Sequence, residues 1–79
     1  MTACATVVDV LAIAANPYRL TATKVRRALG GLGYERAKCV LELARERYEQ
    51  TVKRRMDEFG VSRAQAEWVL LVEWTERQP

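Results

Sequence analysis

The chain has 79 residues, enough for one domain with one modest core and too few for two. Apolar residues make up 49% and charged residues 29%, with four Gly and two Pro, a balance that excludes a disordered chain and argues against an all-β one. The formal charge is +3 and unevenly spread: residues 1–40 hold six basic and two acidic side chains, residues 41–79 seven and eight.

The first helix is expected from about Ala5 to Ala15, with Thr6 as N-cap and Asp9 completing a capping box. Val7, Val10, Leu11 and Ala14 fall on one of its faces, while Val8, Ala12 and Ala15 cover another. A helix apolar on nearly every side must sit centrally or against a second chain. The run from Ala3 to Ala15 carries Asp9, lacks a basic flank and is shorter than the roughly 20 residues that span a bilayer, so it reads as a core helix and not as an anchor or signal.

Asn16 and Pro17 stop this helix, which makes "NPYRLT" a connector. Thr21 or Thr23 caps a short second helix reaching Leu29, with Val25, Ala28 and Leu29 inward and Gly30 as its C-terminal cap. From Tyr34 onward, Ala37, Val40, Leu41, Ala44, Tyr48, Val52, Met56 and Phe59 recur at spacings of three and four. That pattern predicts one long helix ending at Gly60, about 39 Å in length, with a break at Thr51 as the alternative. The last helix is capped by Ser62, boxed by Gln65, stapled by Val61 against Ala66, and runs to about Arg77. Pairs at i,i+4 are expected between Glu49 and Lys53, Arg63 and Glu67, and Glu73 and Arg77.

These elements predict an all-α fold: a single compact domain over residues 1–79, a bundle of about four helices with a helix-turn-helix-like centre and a long third helix. Enzymatic chemistry is not expected. There is no histidine, the only serine has a capping role, and "GGLG" lacks the Lys-Ser/Thr ending of a phosphate-binding loop and follows a predicted helix where that loop follows a strand. No cofactor, metal or small-molecule substrate is expected, and Cys4 and Cys39 read as two reduced thiols of a cytoplasmic protein.

The basic excess is concentrated at Arg19, Lys24, Arg26, Arg27, Arg36 and Lys38, offset there only by Glu35. Such a patch attracts phosphate or an acidic protein surface. The stretch from Val7 to Arg45, "VVDVLAIAANPYRLTATKVRRALGGLGYERAKCVLELAR", resembles the opening of bacterial helix-turn-helix regulators, with Val25, Leu29, Leu32, Ala37 and Val40 at the apolar positions and Gly30 at the turn. The resemblance implies DNA binding. Tyr34, Arg36 and Lys38 would face base edges, while Thr21, Thr23, Lys24, Arg26 and Arg27 would hold phosphates.

Departures from that pattern are also legible. The turn is one residue too long, with Gly31 looped out before Leu32, Arg26 stands where a small residue is usual, and no wing follows. The outward face of the third helix carries Glu35, Cys39, Glu42 and Glu46 with Glu49 beside them, and Arg36, Lys38 and Arg45 on the flanks.

A second reading is a helical protein-interaction module, or a phage- or plasmid-encoded inhibitor such as an anti-CRISPR that docks on a larger nucleic-acid-handling complex. Val8, Ile13, Trp68, Leu71 and Trp74 are its interface candidates, and a homodimer would cover them. Core positions are nevertheless the first expectation for Trp68 and Trp74, because a small helical domain needs large apolar side chains to reach adequate stability.

Overall fold

A computed structural model describes the backbone of residues 3–77 and the side chains from Val7 to Arg77. Four α-helices and no strand occur among the described residues: α1 (Ala3–Ile13), α2 (Ala22–Leu29), α3 (Tyr34–Phe59) and α4 (Arg63–Arg77), with a 3-10 turn at Pro17–Arg19. The expected all-α architecture is the one observed.

α1 starts three residues before Thr6, so Thr6 lies inside the helix and is not its cap; its side chain, like that of Cys4, lies outside the described ones. The helix also stops at Ile13, two residues short of Ala15. The cause is Asn16, whose extended backbone and side chain are committed to the next element: its Oδ1 accepts the Tyr18 N–H at 2.9 Å, with Pro17 at the first position of the 3-10 turn.

The remaining boundaries follow the sequence signals. Thr21 Oγ1 accepts the Lys24 N–H at 3.2 Å to cap α2, and Gly30 closes it by donating its N–H to the Arg26 carbonyl. Gly30 and Gly31 both have positive φ (41° and 76°), which lets the chain reverse within a four-residue joint. α3 runs unbroken through Thr51, whose hydroxyl donates to the Arg47 carbonyl at 2.9 Å instead of capping a new helix. Its 26 residues set the 40 Å long dimension of the molecule. Ser62 and Gln65 cap α4 reciprocally: Ser62 Oγ accepts the Gln65 N–H and Gln65 Oε1 accepts the Ser62 N–H, both at 3.3 Å.

α3 is the spine, and each other element packs on it. Its N-terminal half supplies Ala37, Val40, Leu41 and Ala44 to a core completed by Val7 and Val10 of α1, Leu20, and Val25 of α2. Its C-terminal half forms a separate core, Tyr48 and Val52 with Ala66 and Leu70 of α4, onto which Met56 and Val61 pack. Val10, Val25 and Val52 are wholly inaccessible, each contributing about 1.5–3 kcal/mol of apolar burial.

Arg55 and Arg63 each tie α3 to α4 and also pair with a carboxylate one turn away on their own helix. Arg63 grips the Glu49 carboxylate with both terminal nitrogens and reaches Glu67 at 3.5 Å; Arg55 pairs with Glu73 at 2.9 Å and Glu58 at 3.2 Å. Of the three i,i+4 pairs expected, only Arg63 with Glu67 forms. Glu49 and Glu73 are taken by partners on the facing helix, and Arg77 Nε donates to the Glu73 backbone carbonyl instead. Contacts from Arg63 through Glu73 fall on residues 48–55 of α3, so α4 crosses the spine rather than running back along it.

Candidate nucleic-acid interface

The α2–α3 joint gathers the basic side chains. Lys24, Arg26 and Arg27 are exposed on α2, and Tyr34, Arg36 and Lys38 are exposed in the first turns of α3. Thr23, Arg26, Arg27, Gly31 and Leu32 line one open hollow of about 330 Å³. Arg26 also braces the joint, its Nε donating to the Leu32 carbonyl at 3.3 Å. This gives Arg26 a use in the longer turn, where it crosses to the residue that follows the extra glycine.

None of these five cations enters an ion pair among the described residues; all four salt bridges involve Arg55 or Arg63. Gly33 offers α3 no side-chain cap, so the positive end of this helix opens toward the same surface, with Glu35 the only acidic residue of its first turn.

Three placements differ from the linear reading. Arg19 lines the crevice between the end of α1 and α4, beside Glu67, Trp68 and Leu71, and not the hollow at the joint. Arg36 is two residues from both Tyr34 and Lys38, which puts it roughly 160° around the helix from them, so the three do not share one face. Arg45 is not a free flank of α3: it is half-buried, donates from Nη2 to the Leu20 carbonyl at 3.0 Å and from Nε to the Pro17 carbonyl at 3.5 Å, and lies 5.4 Å from the Tyr18 ring centre. Nothing in the sequence around Arg45 signals this, because its partners are carbonyls more than twenty residues away.

The glutamate stripe is where helical periodicity puts it: Glu35, Cys39, Glu42 and Glu46 are all exposed, and Leu43 is exposed beside them. Cys39 is a free thiol. Glu49, beside the stripe, is half-buried, and the Arg63 guanidinium holds its carboxyl below the usual carboxylate range.

The five interface candidates separate. Val8, Trp68 (65% exposed) and Leu71 are open to solvent. Ile13 packs against the first core, and Trp74 is half-buried with its indole N–H on the Leu11 carbonyl at 3.0 Å, so neither is an unpartnered surface residue. Nearby, Tyr48 is buried between the halves, edge-on to Tyr18 with ring centres 6.2 Å apart, and its hydroxyl donates to Glu67 at 3.4 Å. Burial, reinforced by Glu67, pushes the Tyr48 phenol up to about 12.

No group of three or more metal-ligating side chains occurs among the described residues, and no described helix is long and apolar enough to cross a membrane. Comparison with protein-family models, with curated proteins and with solved structures gives no match.

Proposed function

We propose that this chain is a small non-enzymatic DNA-binding protein that holds phosphates at the α2–α3 joint, in the manner of a helix-turn-helix regulator. The observation that carries the reading is the set of five exposed cations flanking the joint, none of them in an ion pair among the described residues, with Arg26 and Arg27 lining one open hollow there. Lys24, Arg26 and Arg27 meet the backbone; the tip of α3, with Tyr34 and Lys38 on one flank and Arg36 on the other, reaches the groove. Beyond that first turn Glu42 and Glu46 repel phosphate, so contact is confined to the tip.

The test is binding to random-sequence duplex DNA across a salt series. Counterion release makes affinity fall steeply with salt, and Arg26→Ala with Arg27→Ala should lower the log–log slope by about 2, roughly one per phosphate contact removed. No binding at low salt, or an unchanged slope in the double variant, overturns the reading.

The exposed Trp68, with Leu71 and Arg19 along the same crevice, favours a second reading as a protein-docking module, by self-association or on a larger complex. Light scattering over a concentration range tests the homodimer, and a monomer throughout excludes it.

A further inference from the structure

We infer that the groove between α1 and α4 seats an acidic amphipathic helix of a partner protein. Val8 and Ala12 of α1 face Leu70 and Trp74 of α4 across an open groove of about 500 Å³ that α3 floors. Trp74 is held by its hydrogen bond to Leu11, so an aromatic wall stands preformed and docking freezes little side-chain motion there.

The charge around these walls is of one sign. Arg47, Arg55 and Arg77 line the groove and no carboxylate does. Arg55 is neutralised by Glu58 and Glu73, whereas Arg47 and Arg77 have no carboxylate partner among the described residues. An occupant complementary to this surface is apolar along one stripe and anionic beside it. Two helices walling a groove over a third suit a helix, whose i, i+3 or i+4, and i+7 side chains fill the apolar trough while neighbouring carboxylates meet the rim. Two separate free cations fit repeated carboxylates better than one headgroup. The groove lies away from the α2–α3 joint and shares no residue with its hollow, so this inference is independent of DNA binding.

The probe is a synthetic helical peptide with leucines at those spacings and glutamates flanking them, with a lysine-for-glutamate version and laurate as comparators, followed by calorimetry and tryptophan fluorescence. The acidic peptide should bind saturably and at least tenfold more tightly than the lysine peptide. Charge reversal at the rim, Arg47→Glu with Arg77→Glu, should invert that preference while leaving the helical circular dichroism unchanged; should the double variant fail to fold, Arg77→Glu at the helix end alone should narrow the preference. Arg26→Ala with Arg27→Ala should leave peptide binding intact, which separates this site from the DNA surface. Equal binding of the two peptides, no saturable binding, or displacement of the peptide by laurate at equal strength would each overturn the assignment.

Discussion

The indole N–H of Trp74 donates to the carbonyl of Leu11, 63 residues away, at 3.0 Å. Leu11 lies in the last turn of α1, where carbonyls have no partner within the helix, so the bond satisfies an orphan acceptor while fastening α4 to α1. Trp74→Phe should therefore lose about 1 kcal/mol in urea denaturation from the bond alone. Trp68→Ala, at an open position, should stay within about 0.5 kcal/mol of wild type. Equal costs at the two sites would contradict the division of labour between them.

Arg45 closes the connector against the spine. Replacing it with Met leaves the Leu20 carbonyl without its charged donor and should cost about 1.5–3 kcal/mol. Arg45→Lys should recover only part, since an ammonium has no fork to span the Pro17 and Leu20 carbonyls together. Full recovery by Lys, read from the same denaturation curves, would show that charge alone is what the site uses.

The phenol of Tyr48 sets an alkaline limit. Its folded pKa, about 12, stands above the ordinary value of 10.0. Unfolding then releases a proton at high pH, so the contribution is fully present below pH 10 and is lost as pH rises toward 12. Absorbance titration should find that Tyr48→Phe removes a phenol ionising above the ordinary value, and the same variant should flatten the fall of stability above pH 10. On the acid side Glu49 has the opposite sign: its depressed pKa gives stability that is present above the ordinary carboxylate value and lost as pH falls through the folded one, a loss that Glu49→Gln should reduce.

Helix ends and helix interiors should respond oppositely to hydroxyl removal. Ser62→Ala removes a working cap and should cost about 1 kcal/mol. Thr51→Ala should be neutral or slightly stabilising, because Thr51 only bonds back to Arg47 within a continuous helix. Gly60→Ala forces a side chain into the left-handed region (φ 60°, ψ 41°) and should cost about 1–2 kcal/mol. Thermal or urea melts of the three variants, ranked against wild type, check the set; a costly Thr51→Ala would point to a break in α3.

Local signals carried the elements whose ends are set by nearby residues. Thr21, Gly30, Gly60 and the Ser62–Gln65 box mark their helix ends because a cap's donor and acceptor lie within a few residues of each other. The end of α1 was less legible because Asn16 serves the following turn, and a capping pattern at Thr6 competed with a start at Ala3. Long-range choices were opaque for a different reason. Glu49 has Lys53 one helical turn away and Arg63 across the crossing, and only the three-dimensional arrangement of α3 and α4 decides that Arg63 holds it. The same holds at the candidate site: exposure of Lys24, Arg26 and Arg27 follows from helical periodicity, whereas the departure of Arg19 to the α4 side follows from the 3-10 turn that carries it.

Two cores strung on one helix also give the molecule two ways to open. The core around Val52 and Leu70 shares no buried residue with that around Val10 and Val25, so α4 can lift away while the N-terminal half stays packed. Amides of α4 should then exchange with solvent through a cheaper opening than those at Val40 and Leu41, which are released only when the spine itself melts.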